Sequence, residues 1–190
     1  MSIRITSNGH NFSLPSSNIP TFEKITLLIE SSKAMLLPTI LLDENTLEGH
    51  LLSGGIALSP LVERAVSLRG DDQTTAIIVL PISLAEKIDR ELGDRAEITT
   101  PLLAPAPTHG HDLRVHLSQD MTLLCLNLYN GGDRVFAELF DIKGCADVLY
   151  WISRIGEGYD LSTYNIFINS NNRELEKLLK RYYKKVTICE

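Results

Sequence analysis

Two glycines between two apolar runs place the strongest constraint on the fold of this chain. The segment MTLLCLNLYNGGDRVFAELFDI, residues 121–142, has strand-like runs on either side of Asn130-Gly131-Gly132-Asp133. Glycine adopts the positive φ angles that two-residue hairpin turns require. The segment therefore predicts two antiparallel strands joined by a tight turn.

Strand and helix patterns surround this hairpin. A strand pattern covers 113–120, amphipathic helix patterns cover 146–158 and 172–185, and further strand patterns cover 162–171 and 186–190. The order implies a mixed sheet, because a helix crossover joins parallel strands whereas a tight turn joins antiparallel ones. We expect an α/β (α+β) fold with a mixed central β-sheet flanked by helices.

The N-terminal half gives a second set of expectations. Asn8-Gly9 predicts a hairpin within 3–14, and apolar residues at helical spacing predict a helix near 20–34. The segment 58–70 predicts a helix, because Pro60 suits a first turn and Gly70 suits a helix end. Residues 74–81 predict a buried strand and 82–93 an amphipathic helix.

Prolines mark the middle of the chain. The segment TTPLLAPAPTHGHD, residues 99–112, contains three prolines and one glycine. Such composition is typical of a loop or linker. We therefore expect an N-terminal α/β part at 1–98 and a C-terminal part at 113–190, which together form two domains or one.

The charge of the chain limits its partners. The 190 residues carry a formal net charge of −6, and the sequence pI is about 5.4. An acidic chain argues against nonspecific nucleic-acid binding, which needs a cationic surface. The net charge does not exclude a local basic patch. One such patch is the basic face of residues 173–185, whose simplest interpretation is a solvated helix face.

The cysteines and the N-terminus bear on location. Cys125, Cys145 and Cys189 are far apart and form no CxxC pair, which indicates free thiols in a reducing compartment. The N-terminal residues show no apolar run typical of a signal peptide, and no apolar stretch reaches 18 residues. We expect a cytoplasmic protein with no membrane span.

The loop after the hairpin raises the question of a phosphate site. Asp141-Ile-Lys-Gly144-Cys-Ala146 precedes a helix pattern, and Asn172 follows 26 residues after Ala146. Amide groups at a helix N-terminus can bind phosphate where no bulky side chain blocks access. With its hairpin, loop and following Asn, segment 121–190 resembles the C-terminal half of the GNAT superfamily of acyl-CoA N-acyltransferases, although Asp141 stands where that family has Gln or Arg.

This resemblance implies a cofactor and its binding residues. It implies that acetyl-CoA or another acyl-CoA binds with its pantetheine arm along the backbone of 139–142. The pyrophosphate would lie at the loop. The cofactor-binding residues implied in this way are Leu139, Phe140, Asp141, Ile142, Lys143, Gly144, Cys145, Ala146 and Asn172.

The resemblance also implies acyl transfer to an amine of a small molecule or a protein. The amine must lose a proton before it attacks the thioester. Glu138, on the strand before the loop, is the candidate base. Tyr182 is the candidate acid for the leaving thiolate, although it comes later than the family spacing requires, where Leu178 and Leu179 stand.

Three of the five histidines cluster in THGHDLRVH, residues 108–116. His109 and His111 would point to one side of a strand and could share a metal with Asp112. The alternative is that these histidines are simply exposed to solvent in a Pro-rich loop. Whether His109, His111 and His116 bind a metal is therefore left open. We assign no metal ligands.

A non-catalytic function is the alternative to acyl transfer. The acidic balance, Asp141 in the loop and the late Tyr182 all favour it. Such a protein would be a regulator, an inhibitor or an immunity-type partner of a basic protein. Free amides in the loop 140–146 would favour acyl transfer, whereas covered amides would favour the partner-binding alternative.

Overall fold

The computed structural model describes residues 2–6, 24–70, 73–107, 110–170 and 172–189. The chain divides into two compact units, Met1–Leu103 and Ala104–Glu190. The segment 99–112 contains the end of one strand at Thr99, a short 3-10 turn at Pro101–Leu103 and the start of another strand at His111.

The N-terminal unit contains two three-stranded sheets. The orders are β1-β2-β6, which is parallel, and β3-β5-β4, which is antiparallel. Its elements are β1 (Ser2–Thr6), β2 (Ile25–Glu30), β3 (Ala34–Pro38), α1 (Leu47–Ser53), β4 (Glu63–Arg69), β5 (Thr74–Pro81), α2 (Ile82–Glu91) and β6 (Ala96–Thr99).

The helix predicted near 20–34 is wrong, because this segment contains strand β2. Ile25, Leu27 and Ile29 are fully buried and alternate along the strand. The apolar residues of this segment fit both the helical period of about 3.6 residues and the strand period of two. Pairing with β1 and β6 on its two sides stabilises the strand. The hairpin predicted at Asn8-Gly9 lies outside the described residues.

The helix predicted at 58–70 is also wrong, because the segment contains strand β4. β4 pairs with β5 over its whole length, from Glu63 opposite Pro81 to Arg69 opposite Thr75. Tertiary pairing thus overrides the local Pro and Gly signals. The strand and the helix predicted at 74–81 and 82–93 are confirmed as β5 and α2.

The C-terminal unit is built on one five-stranded mixed sheet of order β11-β10-β7-β8-β9. β7 and β9 are antiparallel to β8, whereas β10 is parallel to β7 and β11. The predicted mixed α/β architecture is confirmed. The elements are β7 (His111–Leu117), β8 (Leu123–Asn130), β9 (Asp133–Asp141), α3 (Cys145–Gly156), β10 (Asn165–Asn169), α4 (Arg173–Leu179) and β11 (Val186–Ile188).

The predicted hairpin joins β8 to β9. Asn130 faces Asp133 across a two-residue turn, and Gly131 and Gly132 have φ angles of 65° and 98°. Both angles lie in the left-handed region that glycine adopts without steric cost. The two glycines therefore form the tight turn that the sequence predicts, and the register of the strand pair shifts by one residue between Leu128 and Tyr129.

One face of the C-terminal sheet carries the apolar core. Its strand residues come from alternate positions of β7, β8 and β10, such as Val115, Leu126 and Ile168, and all three are at most 1% exposed. Helices α3 and α4 contribute Ile152 and Leu175 to the same cluster. Burying a side chain of this size stabilises the fold by about 1.5–3 kcal/mol.

The opposite face of this sheet is polar yet largely buried. Asp112 and His116 on β7 are 5% and 7% exposed, and Cys125 and Asn127 on β8 are at most 1% exposed. Buried polar groups need hydrogen-bond partners, so this face depends on specific contacts. Asn127, for example, accepts a hydrogen bond from Arg134 at 2.7 Å.

An aromatic stack joins α3 to the edge strand β9. The rings of Trp151 and Phe140 are stacked with centroids 4.1 Å apart, and Tyr150 meets Trp151 edge-on at 5.0 Å. Such pairs add about 0.5–1.5 kcal/mol beyond their buried area.

Candidate functional site

The candidate site lies at the carboxyl ends of β7 and β10. These strands are parallel neighbours, but the chain leaves β7 toward β8 on one side and leaves β10 toward β11 on the other. Crevices that bind ligands in α/β sheets form outside the carboxyl ends of strands where the direction of connection reverses. The C-terminal sheet has this reversal between β7 and β10.

Side chains build the turn that follows β7. Asp120 Oδ1 accepts hydrogen bonds from Ser118 Oγ at 2.6 Å, Thr122 Oγ1 at 2.7 Å and Thr122 N at 3.2 Å. Ser118 Oγ in turn accepts from Leu123 N at 2.9 Å. Met121 closes the turn with a positive φ of 58°. A carboxylate therefore holds in place the turn that follows the carboxyl end of β7.

The electrostatics of this turn favour the ionised carboxylate. Partial burial would raise the pKa of Asp120, but hydrogen bonds from Ser118 and Thr122 outweigh it, and the pKa is lowered from 3.8. Asp120 is consequently charged at neutral pH. Sequence reasoning missed these residues, although Ser-x-Asp-x-Thr between two strand patterns is a turn signal.

The two ends of the β7–β10 pair carry matched contacts. At the carboxyl ends, Asn169 Nδ2 lies 3.2 Å from His116 Nδ1. At the amino ends, Asn165 Nδ2 donates to Asp112 Oδ1 at 3.1 Å. Each asparagine faces its partner in the strand register. Only the first pair lies at the end of the strands where the candidate site is placed.

The loop predicted to bind phosphate approaches the start of α4, the helix that follows β10. Asn172 is the N-cap of α4, accepts a hydrogen bond from Leu175 N at 2.9 Å, and places its Nδ2 3.7 Å from Cys145 Sγ. The structure therefore brings the predicted residues Cys145 and Asn172 together. Gly144 is the N-cap of α3 and has an extended φ of 171°.

Internal groups occupy part of this loop. Lys143 N donates to Asp147 Oδ2 at 2.7 Å, so a carboxylate of the first turn of α3 lies against the loop. That negative charge opposes a pyrophosphate at the same position. Asp141 and Ala146 are exposed, and Ile142 is 4% exposed.

The structure does not bring the two candidate catalytic residues together. Glu138 is exposed on the edge strand β9, and Tyr182 is 64% exposed in the turn before β11. β9 and β11 form opposite edges of the sheet, and four strand spacings amount to about 19 Å. Leu139 and Phe140, from the predicted cofactor strand, also lie on β9.

The cysteines near the site are not activated thiols. Burial raises the pKa of Cys125 to about 12. Burial and the charge of Glu174 raise the pKa of Cys145. Because the thiolate is the reactive form, both positions favour an inert thiol.

The histidines are dispersed. His111 contacts the ring of Tyr164 at 5.2 Å, whereas His116 lies on the opposite face of β7 beside Asn169. His109 lies outside the described residues. Among the described residues, no group of three His, Cys, Asp or Glu side chains could hold a metal ion.

Comparison with solved structures identifies the fold. The chain is similar to a protein of Bacteroides thetaiotaomicron with an actin-like ATPase fold and unknown function, with a TM-score of 0.70 and 12% identity over 87% of this chain and 68% of that one. It also aligns with the cytoplasmic domain of EpsL, an inner membrane component of the type II secretion system of Vibrio cholerae, at 11% identity over 100% of this chain and 84% of that one. The TM-score of this second alignment is 0.45. No family profile and no curated protein matches the sequence.

This likeness corrects the resemblance to the GNAT superfamily. A chain with an actin-like ATPase fold over 87% of its length is not a GNAT protein. The strand order also differs from a simple hairpin–helix–strand unit, because β7 and β8 lie between β9 and β10. The predictions of acyl transfer and of an acyl-CoA cofactor are therefore wrong, and the alternative of an immunity-type partner gains no support.

Among the residues that the structure describes, no helix is both long and apolar enough to cross a membrane.

Proposed function

We propose that this protein binds a nucleotide at the carboxyl ends of β7 and β10. The observation that carries the proposal is the reversal of connection between these strands in a chain with an actin-like ATPase fold. The likeness supports the fold, and the name of that fold suggests the chemical class of the ligand. The position of the proposed site is supported by the general preference of ligands for the carboxyl ends of strands where the direction of connection reverses.

Two side chains at this edge suit a nucleotide and its cation. Mg²⁺ in nucleotide sites is held by one or two carboxylates together with the phosphates. Asp120 is ionised, and its Oδ2 takes none of the three hydrogen bonds that hold Oδ1. We assign Oδ2 to the cation or to one of its waters, and the Asn169 amide to an oxygen of the nucleotide.

Calorimetric titration with ATP, ADP and GTP tests this proposal, with Mg²⁺ and then with EDTA. We expect binding of ATP in the presence of Mg²⁺. Asn169→Ala should weaken it about 3- to 10-fold, the value of one neutral hydrogen bond.

Asn165→Ala is the matched control. It removes the same amide from the other end of β10, where it also contacts a buried β7 side chain. We expect unchanged affinity. The absence of heat with all three nucleotides in folded protein, or equal losses in both variants, would contradict the proposed site.

A further inference from the structure

The largest local charge imbalance lies at the C-terminal end of the chain. Residues 173–185 include six basic and two acidic side chains, a formal charge of +4 in a chain of −6. The remainder of the chain therefore carries −10. The basic members are Arg173, Lys177, Lys180, Arg181, Lys184 and Lys185.

The two acidic residues of this segment leave most of its positive charge uncompensated. Glu176 pairs with Lys180, one helical turn away. Glu174 is exposed and forms no ion pair with another residue that the structure describes. Lys185 Nζ lies 3.4 Å from the carbonyl oxygen of Thr163.

Four cations of the segment are left for a partner. All four are exposed, and none forms an ion pair with another residue that the structure describes. They are Arg173, Lys177, Arg181 and Lys184. The first three recur at every fourth position, about one helical turn or 5–6 Å apart where the chain is helical. The turn continues past α4, because Arg181 N donates to Leu178 O.

An exposed aromatic ring lies within this basic segment. Tyr182 is 64% exposed, although its neighbours Leu175 and Leu179 are fully buried in the core. The apolar side of α4 is therefore already packed, and Tyr182 is not part of it. An exposed ring within a basic segment offers a flat surface on which a base can stack.

We propose that this surface binds single-stranded nucleic acid, with the four cations on phosphates and Tyr182 on a base. The net negative charge does not prevent this, because charges more than about 8 Å away are largely screened at physiological salt. An anionic membrane fits the surface less well. Helices that lie on membranes insert an exposed apolar face, and that of α4 is buried.

Fluorescence anisotropy with labelled 20-nucleotide RNA and DNA strands of mixed sequence tests this inference. With four phosphates neutralised, log K should fall with log salt with a slope of about −3. Lys177→Gln with Arg181→Gln should reduce that slope by about 1.4 and weaken binding.

A second pair of substitutions provides the matched control. Arg64→Gln with Arg90→Gln makes the same change of charge on exposed arginines of the N-terminal unit. We expect affinity and salt slope to stay as in the wild type. If both double variants lost affinity equally, the loss would come from the change in net charge alone, and the proposed site would be wrong.

Tyr182 separates stacking from simple charge attraction. Tyr182→Ala should weaken binding about 5- to 150-fold, whereas Tyr182→Phe should retain it, because a stacking ring needs no hydroxyl. The absence of any anisotropy change at 50 mM salt would overturn the inference. So would co-sedimentation with phosphatidylserine vesicles without binding to either strand, which would assign the surface to a membrane.

Discussion

Strand β8 lies between two tight turns, and both turns need a residue with a positive φ angle. At its carboxyl end, Gly131 and Gly132 supply positive φ angles and no side chain is needed. At its amino end, the turn contains no glycine, Met121 bears the positive φ, and Asp120 ties the turn together with three hydrogen bonds.

This difference separates a structural turn from one beside a candidate site. The two glycines of one turn carry no charge, whereas the other turn places an ionised carboxylate after the carboxyl end of β7, where the candidate site is proposed. A side chain in the left-handed region costs about 1–2 kcal/mol, which the bonds to Asp120 offset. Unusual backbone near a crevice is a recurrent feature of functional sites.

The largest effect is expected in the glycine turn. Gly132→Val places a β-branched residue at a φ of 98° and should lower the free energy of unfolding by about 2 kcal/mol. Urea denaturation measures this change. Gly144→Val is the control, because its extended backbone limits the cost to less than about 1 kcal/mol from the helix cap. An equal loss at both positions would show that backbone conformation is not the cause.

A smaller effect is expected in the side-chain turn. Asp120→Ala removes three accepted hydrogen bonds from a partly exposed group and should cost about 1.5 kcal/mol. Asp133→Ala makes the same change in the glycine turn, where the cost should stay within about 0.5 kcal/mol. Denaturation curves of both variants decide whether the two turns differ as described.

The smallest effect concerns pH. The folded pKa of Asp120 is lowered, so its contribution to stability is full above about pH 4 and is lost as pH falls through the folded pKa. The stability gap between wild type and Asp120→Asn should therefore narrow from pH 7 to about pH 3. An unchanged gap would mean that the charged form is not favoured by folding.

The same comparison explains what the sequence predicts and what it misses. The turn at Gly131-Gly132 is predictable because the signal is local and lies in the backbone. The turn at Asp120 is missed because its geometry depends on side-chain bonds between Ser118, Asp120 and Thr122. Strands β2 and β4 are missed for a third reason, since pairing with distant strands decides their structure.

The candidate site was only partly accessible from the sequence. From the sequence, Cys145 and Asn172 are only cofactor-binding residues implied by the GNAT resemblance, and the structure places Asn172 Nδ2 3.7 Å from Cys145 Sγ. The pairing of Asn169 with His116 depends on the parallel register of β10 and β7, which are 53 positions apart at this point. A local pattern carries no information about such a register.

The stack of Trp151 on Phe140 has a practical consequence. Trp151 is the only tryptophan of the chain, and it belongs to the C-terminal unit. Its emission spectrum therefore reports the loss of contact between α3 and β9, and the N-terminal unit is silent at that wavelength. Fluorescence and far-ultraviolet dichroism recorded on one sample would thus distinguish a chain that melts in one step from one whose halves unfold at different temperatures.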